Sequence, residues 1–197
     1  MIVYFIRHGQ SEGNRRRMNC GWNDTPLSEL GHQQAKAAHA YLKDVPFDKI
    51  FCSDLPRAMQ TCQDALPGCE MILTPKIREV GVGDLAGHYI ADNAARYPDY
   101  WDSVKKQDFS AYGGETQAQM KERVQDFIRD LEKLEGECRY VAVFGHEGTV
   151  HQMLNYCFGY DILLEHTCIQ NASATVFELR DGVWRLRAFS YVGELNV

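Results

Sequence analysis

Two uninterrupted apolar runs constrain the fold of this chain more than any other feature. The runs are Ile2 to Ile6 and Tyr140 to Phe144, and both are rich in residues that favour β-strands. Strands without polar alternation are typical of sheets that are covered on both faces, and such sheets are mostly parallel with helices on either side. The two runs therefore predict an α/β protein.

Shorter strand and helix signals surround these two runs. Further strands are predicted near 49–52, 71–74, 174–179 and 183–189, and helices near 28–43, 56–65, 116–134 and 148–157. Strands that alternate with helices indicate a three-layer α/β/α sandwich with a mostly parallel central sheet. The last two strands are separated only by the turn at 180–182, so they predict a hairpin.

Capping residues predict where several helices begin. Ser28 is a candidate N-cap for the first, and Thr116 with Gln119 forms a capping box for the third. Ser53 and Asp54 are cap candidates for the second, which carries Pro56 in its first turn.

Residues 88–112 interrupt the alternation of strands and helices. The segment contains six of the chain's 22 aromatic residues: Tyr89, Tyr97, Tyr100, Trp101, Phe109 and Tyr112. It predicts a short helical insertion over one end of the sheet, which would act as a lid. A length of 197 residues fits a single domain, so we expect one domain over 1–197 with this lid inside it.

Composition and charge exclude several classes of protein. A net charge of −6 argues against nucleic acid as a partner, and no segment approaches the ~18 apolar residues of a membrane span. The seven cysteines are odd in number and include no Cys-x-x-Cys pair, which indicates neither a disulfide framework nor a zinc ribbon. We therefore expect a cytoplasmic protein with reduced thiols and no metal, cofactor or membrane partner.

Chemically distinctive residues follow three of the predicted strands. Arg7, His8 and Gly9 follow the first strand, Ser53 and Arg57 the second, and His146 follows the run that ends at Phe144. Because ligands of open α/β sheets bind beyond the carboxyl ends of the strands, we expect these groups to lie together. Two arginines, two histidines, nearby glycines and a helix N-terminus make an anion site, and phosphate fits it best.

A phosphoryl group at this site would meet a nucleophile and an acid. His8 can attack phosphorus through one ring nitrogen while the other donates to a backbone carbonyl. Arg7 and Arg57 favour the neutral imidazole, and together with a protonated His146 they would neutralise the transition state. Glu79 opens a glycine-dense loop at 79–87 and is the best candidate for the general acid.

Three other motifs have simpler interpretations. His146 and His151 are five residues apart, so they do not share a helix face as metal ligands of a zincin helix do. The glycines at 81, 83 and 87 do not match a dinucleotide fingerprint. The basic run at 15–17 is interpreted as a solvated helix face, with a patch for a polyanionic substrate as the alternative.

Six ordered blocks resemble the histidine phosphatase superfamily, in the branch named for cofactor-dependent phosphoglycerate mutase. They are Arg-His-Gly-x-Ser-x-x-Asn at 7–14, Asp-x-Pro-Leu-Ser at 24–28 with Gln-Ala at 34–35, Ser-Asp-Leu-x-Arg-Ala-x-Gln-Thr at 53–61, the loop at 77–87, Gly-Glu-Thr at 114–116, and His-Glu-Gly at 146–148. The resemblance implies the sandwich fold and a phosphorylated histidine, without metal or cofactor.

The resemblance also implies a role for each matching residue. His8 would be the nucleophile, Arg7, Arg57 and His146 the phosphate pocket, and Glu79 the proton donor. Further substrate-binding positions would be Asn14, Gly9, Ser11, Gly21, Glu147 and Gly148. Glu147 stands where the family usually has a small residue, so its carboxylate should point away and only its backbone N–H would serve. Ala86 and Cys20 also depart from the pattern, which affects substrate preference more than catalysis.

The short insertion favours hydrolysis over mutase chemistry, because mutases of this branch carry a longer, basic insertion that retains a bisphosphorylated intermediate. We expect a phosphatase that acts on a small phosphorylated molecule. The alternatives are a phosphoglycerate mutase-type transfer, an α-ribazole phosphatase as the specific activity, and a non-catalytic binder of phosphorylated ligands. A homodimer is left open.

Overall fold

The computed structural model describes residues 1–159 and 167–193. Its strands are β1 (Ile2–Arg7), β2 (Lys49–Ser53), β3 (Ile72–Thr74), β4 (Tyr140–Gly145), β5 (Ala174–Arg180) and β6 (Val183–Tyr191). They form one sheet in the order β3-β2-β4-β1-β5-β6, with β3, β2, β4 and β1 parallel and the last two antiparallel. The predicted mostly parallel sheet is confirmed, and the two antiparallel strands are the predicted C-terminal hairpin.

Helices cover both faces of this sheet. They are α1 (Glu12–Arg15), α2 (Glu29–Leu42), α3 (Pro56–Ala65), α4 (Ile90–Arg96), α5 (Tyr100–Lys106), α6 (Gln117–Glu132) and α7 (Glu147–Phe158). Helices α2 and α3 pack together on one face, and α6 and α7 pack together on the other. The result is the predicted three-layer sandwich.

The central strands supply both halves of the core by alternation along the chain. Val3 and Phe5 of β1 pack on the side of α6 and α7, whereas Tyr4 and Ile6 pack on the side of α2 and α3. All four side chains are buried. This explains why the sequence shows no polar residue in the run, since both faces of β1 are inside the protein.

Most of the predicted helix starts agree with the structure, but one is wrong. Ser28 caps α2, and Thr116 forms the capping box of α6 with Gln119. Helix α3 instead begins after Leu55, which makes no side-chain cap. Ser53 and Asp54 lie too early to cap it, and each has another partner: His146 for Ser53 and Arg78 for Asp54.

The segment at 88–112 is helical, as predicted, and contains α4, α5 and a 3-10 turn at Ser110–Tyr112. Most of its aromatic residues serve packing. Tyr100, Phe109 and Tyr112 are buried in the core on the α6 side. Only Tyr89 and Trp101 are largely exposed, at 42% and 60%.

Two findings concern the surface and the thiols. No helix in residues 1–159 and 167–193 is both long and apolar enough to cross a bilayer. The cysteines, all of which lie in these residues, are free thiols, although Sγ of Cys62 and Sγ of Cys69 are only 3.6 Å apart.

A glycine contact joins α2 to the loop after β1. A Cβ atom at Gly31, in the first turn of α2, would overlap the backbone carbonyl of Gln10, and one at Gly9 would overlap the carbonyl of Gly31. The loop that follows His8 therefore lies directly on the helix. This close approach depends on the absence of side chains at both positions.

Gly31→Ala should destabilise the protein by about 2 kcal/mol, although alanine is normally preferred in a helix. The cause is the overlap with the Gln10 backbone, which cannot move without displacing the loop. Urea unfolding of the variant measures the change. Lys36→Ala on the exposed side of α2 is the control and should stay within about 0.5 kcal/mol of the unmodified protein. Equal stability of Gly31→Ala and the control would contradict this account.

Candidate active site

The order of the parallel strands brings the predicted chemical groups to one edge of the sheet. β1 and β4 are neighbours with Arg7 opposite Gly145, and β2 pairs with the other side of β4. The backbone N–H of His8 continues this pairing, because it donates to the carbonyl of Gly145 at 2.9 Å. His8 and His146 therefore start from adjacent backbone positions, and their ring centroids are 5.2 Å apart.

His8 is held in one orientation and one tautomer. Its Nδ1 lies 2.6 Å from the carbonyl oxygen of Gly9, which can only accept, so Nδ1 carries the proton. In the neutral ring the lone pair is then on Nε2. Burial, followed by the charges of Arg57 and Arg7, holds the pKa of His8 well below its usual value. His8 is thus a neutral imidazole with Nε2 as the available nucleophilic atom.

Arg57 is a buried arginine at the start of α3. Its Nη2 donates to the carbonyl of Gly21 at 2.8 Å and its Nη1 to that of Asn23 at 3.2 Å. Its Nε is also buried and has no hydrogen-bond partner. The guanidinium is therefore fixed by the loop at 21–23, and its Nε–H is among the donors that are left for a ligand.

Arg7 is fixed in a similar way. Its Nη1 donates to the carbonyl of Ile169, and its Nη2 forms an ion pair with Glu147 at 2.9 Å. Its Nε is buried without a partner. The two arginines thus each have a buried Nε–H group without a hydrogen-bond partner.

His146 offers a third unused donor. Its Nε2 forms a hydrogen bond with Oγ of Ser53 at 2.9 Å, and that Oγ also accepts from the backbone N–H of Leu55. The Ser53 hydroxyl can donate to Nε2, and in that arrangement the proton of a neutral ring is on Nδ1, a buried atom without a hydrogen-bond partner. Burial, Arg57 and His8 lower the pKa of His146 well below its usual value. These effects favour the neutral form of His146. The prediction of a protonated His146 concerns the transition state with a phosphoryl group bound, and it stays a prediction.

Glu79 lies against the N-terminus of α7. Its carboxylate accepts from the backbone N–H of Val80 at 2.9 Å and from that of Gly148 at 3.3 Å. A Cβ at position 148 would overlap this carboxylate and the end of the Met120 side chain, so a larger residue there would displace Glu79. The two N–H groups fix the position of the carboxyl group.

A second buried arginine network supports the loop that carries Glu79. Arg123 of α6 pairs with Glu115 at 2.7 Å and donates to the backbone carbonyls of Lys76 and Arg78, both at 3.0 Å. Sequence reasoning did not assign a role to Arg123. The only available signal was that Glu115 belongs to the motif at 114–116, which implied a charged partner without identifying it.

Trp22 is another residue that sequence reasoning missed. Its Nε1 donates to the backbone carbonyl of Glu79 at 2.7 Å, which joins the loop after α1 to the loop after β3. The guanidinium groups of Arg78 and Arg123 lie 5.2 and 5.9 Å from its ring.

Several of the predicted substrate-binding groups are already engaged within the protein. The N–H of Gly9 donates to Thr61 at 3.0 Å, and Ser11 caps α1. Oδ1 of Asn14 accepts from the Ser11 hydroxyl at 2.9 Å. The N–H of Gly148 binds Glu79, and the carbonyl of Gly21 binds Arg57. In this conformation these residues shape the site and orient its charged groups.

Glu147 does not point away from the site, as the sequence analysis expected it to. Its carboxylate pairs with Arg7, and its pKa is raised by burial and by the nearby charge of Glu79. The ion pair with Arg7 explains how a carboxylate is tolerated beside so many phosphate-binding groups. It also means that part of the positive charge of Arg7 is already balanced.

The arrangement has the parts needed for phosphoryl transfer. A neutral histidine presents a free ring nitrogen, three buried donors on Arg7, Arg57 and His146 lack partners, and a carboxyl group lies on the α7 side. Buried donors without partners are rare because each costs free energy, and anionic oxygens would satisfy them. The site therefore suits a tetrahedral anion such as a phosphoryl group.

Comparison with known proteins identifies the family. Residues 3–191 match the model of the histidine phosphatase superfamily (branch 1), so the chain belongs to that family. A fructose-2,6-bisphosphatase TIGAR B from Danio rerio is 39% identical over 138 residues, which are 64% of this chain and 51% of that protein. The chain thus spans about half the length of that relative.

Two further relatives cover more of the chain. An adenosylcobalamin/alpha-ribazole phosphatase from Salmonella typhimurium is 29% identical over 163 residues, 78% of each chain. The solved structure of a putative alpha-ribazole-5'-P phosphatase from Escherichia coli superposes with a TM-score of 0.89 at 23% identity, covering 98% of both chains. This last likeness supports the fold that the sheet order already shows.

Glu147→Gln should strengthen inhibition by inorganic phosphate by about threefold to tenfold at neutral pH, because it removes a negative charge from the neighbourhood of Arg7. The charged groups that act on this carboxylate are Arg7 and Glu79. The pKa of Glu147 is raised, so below that pKa the unmodified side chain is itself neutral and the advantage disappears.

The measurement is the inhibition constant of phosphate for both proteins between pH 4.5 and 8, compared at each pH so that the titration of phosphate cancels. Glu122→Gln, at an exposed position on α6, is the control and should leave the constant unchanged. A constant ratio between Glu147→Gln and the unmodified protein across this range would contradict the prediction.

Proposed function

We propose that this protein is a phosphatase that hydrolyses a small-molecule phosphomonoester through a phosphohistidine on His8. One observation carries the proposal. Nε2 of a neutral His8 is available beside three buried donors without partners, on Arg7, Arg57 and His146. We further propose that residues 1–197 act as one domain in which the segment at 88–112 is a lid.

In the first step, Nε2 of His8 attacks phosphorus while the bond between phosphorus and the ester oxygen breaks. The N–H groups of Arg7, Arg57 and His146 stabilise the charge on the equatorial oxygens. Glu79 gives its proton to the departing oxygen, so that the alcohol leaves neutral. The N–H groups of Val80 and Gly148 then stabilise the carboxylate that results.

In the second step, water attacks the phosphorus of phosphohistidine. Glu79, now ionised, takes a proton from that water, and the bond between phosphorus and Nε2 breaks to return neutral His8 and inorganic phosphate. The hydrogen bond from Nδ1 to Gly9 stabilises the ring throughout, since it favours the tautomer that both steps require.

Transfer to a second acceptor, as in a mutase, is the alternative that the family allows. The names of the two curated relatives described above favour hydrolysis, since both are phosphatases. A binder of phosphorylated ligands is less consistent with the site, because binding alone would need neither a free Nε2 on His8 nor a carboxyl group at the position of Glu79.

His8→Ala should reduce hydrolysis of p-nitrophenyl phosphate in excess EDTA by about 10³-fold or more, because no other group can form the intermediate. His88→Ala, at an exposed histidine, is the control and should retain activity. Because the pKa of His8 is lowered, the nucleophile stays neutral at low pH. The pKa that governs the acid limb of the kcat/KM profile should therefore lie below ~6.5, the pKa of a free imidazole. Full activity of folded His8→Ala would disprove the mechanism.

Glu79→Gln should slow the hydrolysis of alkyl phosphates by about 100-fold and the hydrolysis of p-nitrophenyl phosphate much less, because p-nitrophenolate leaves without protonation. The comparison of kcat/KM for both substrates in the variant and the unmodified protein measures this, because kcat/KM reports the step in which the alcohol leaves, whereas kcat also includes the attack of water that both substrates share. Glu122→Gln is again the control. An equal loss on both substrates would mean that Glu79 positions the site and does not protonate the leaving group.

A further inference from the structure

A cavity of about 480 Å³ lies beside the candidate active site. It is lined by Trp22, Asn23, Gly81, Val82, Gly83, Ala86, Gly113, Gly114, Glu115 and Gln119. Its volume is typical of small-molecule sites. Trp22, Asn23 and Glu115 contact Glu79, Arg57 and Arg123, and none of the lining residues takes part in the proposed chemical steps.

The walls of this cavity are continuous with the catalytic groups. Asn23 accepts a hydrogen bond from Arg57, and Trp22 donates one to the carbonyl of Glu79. Gly81 is two residues beyond Glu79, the proposed donor to the departing oxygen. The cavity is therefore placed on the side where a leaving group would extend from the phosphate.

The charge of the lining is effectively balanced. Glu115 is the one ionisable residue among the lining groups, and its two carboxylate oxygens accept from Nε and Nη2 of Arg123 at 2.9 and 2.7 Å. The N–H of Gly81 donates to the same carboxylate at 2.8 Å. The cavity thus offers neither a free negative charge nor a lysine, arginine or histidine on its wall.

The two arginines whose guanidinium groups lie nearest to the Trp22 ring, Arg78 and Arg123, are already paired with carboxylates. Arg78 donates from Nε and Nη2 to the carboxylate of Asp54 at 2.7 and 2.6 Å. Arg123 is held by Glu115 and by backbone carbonyls. A second phosphate or a carboxylate in the cavity would therefore lose its hydration without gaining an ion pair, which is unfavourable.

The remaining surface suits an uncharged ring. Trp22, Val82 and Ala86 supply the apolar area, and the glycines supply a floor without side chains. A Cβ on Gly83 would overlap the carbonyl of Tyr112, and one on Gly114 would overlap that of Gly81. The floor is thus two backbone segments in direct contact, so it presents backbone and no side chain from these glycines.

We infer that this cavity binds the leaving group of the substrate, and that the substrate is a phosphomonoester whose leaving group is an uncharged, ring-bearing alcohol. The inference rests on the proposed function, which supplies the position of the phosphate. It assigns the selectivity to Trp22, Val82 and Ala86, and it excludes bisphosphates and phosphorylated carboxylic acids as preferred substrates.

The test compares three alkyl phosphates: 2-phenylethyl phosphate, ethyl phosphate and 3-phosphoglycerate. Because all three have alkoxide leaving groups, differences among them report on the cavity more than on bond breaking. Calorimetry on His8→Ala gives dissociation constants without turnover, and kcat/KM on the unmodified protein gives selectivity. We expect 2-phenylethyl phosphate to bind about tenfold to 100-fold more tightly than ethyl phosphate, and 3-phosphoglycerate no more tightly than ethyl phosphate.

Ala86→Phe fills the cavity and should bring the ratio between 2-phenylethyl and ethyl phosphate close to one. Ala40→Phe, at an exposed position on α2, is the matched control and should keep the original ratio. Gln119→Lys is a second variant, in which a new cation at the cavity should shift preference towards 3-phosphoglycerate by about tenfold.

The outcomes separate this inference from the proposed function. If p-nitrophenyl phosphate is hydrolysed but the phenyl group adds no affinity, or if 3-phosphoglycerate is preferred, the cavity assignment is overturned and the phosphatase proposal stands. If nothing is hydrolysed but His8→Ala still binds 2-phenylethyl phosphate selectively, and Ala86→Phe abolishes that selectivity, the cavity assignment holds and the mechanism fails.

Discussion

The pairing of β1 with β4 is the constraint on which the site depends. Because Arg7 lies opposite Gly145 and the N–H of His8 donates to the carbonyl of Gly145, the two strands deliver both histidines to the same point. In this arrangement the ring centroids of His8 and His146 are 5.2 Å apart. The packing of both faces supports this register, since a slip of one residue would turn Val3 and Phe5 towards α2 and α3 and would disrupt both halves of the core.

The meeting of these strand ends places several basic side chains in one pocket, and the surrounding residues reduce the repulsion among them. Two arginines and two histidines in one pocket would repel one another if all were charged. Burial and then the charge of Arg57 lower the pKa of His8 and of His146, which favours the neutral imidazoles. The neutral form of His8 is the one that its proposed attack on phosphorus requires. The carboxylate of Glu147 balances Arg7, and backbone carbonyls hold Arg57, so the arginines stay ordered without a phosphate.

The sequence predicts the parts of this structure that depend on local pattern. β1, β4, α2 and α6 follow from apolar runs and caps, and the proposed nucleophile follows from its position after a buried strand. Contacts between distant segments were not predictable. Trp22 meets Glu79 across 57 residues, and Glu147 turns to Arg7 because burial and pairing outweigh the repulsion expected beside a phosphate site. Ser53 was expected to cap α3, but its hydroxyl serves His146 instead.

The groups around the proposed phosphohistidine determine whether the phosphoryl group passes to water or to a second acceptor. An enzyme that transfers the phosphoryl group must hold a second anionic acceptor, which requires free cations close to the leaving-group side. Here Arg78 is bound to Asp54 and Arg123 to Glu115, and the cavity beside Glu79 is lined by glycines and apolar groups. Redirecting either arginine would leave a carboxylate unpaired, at a cost that grows with burial. The same ion pairs that support the loop of Glu79 therefore also disfavour a second anion in the cavity, in agreement with the proposed attack of water on the phosphohistidine.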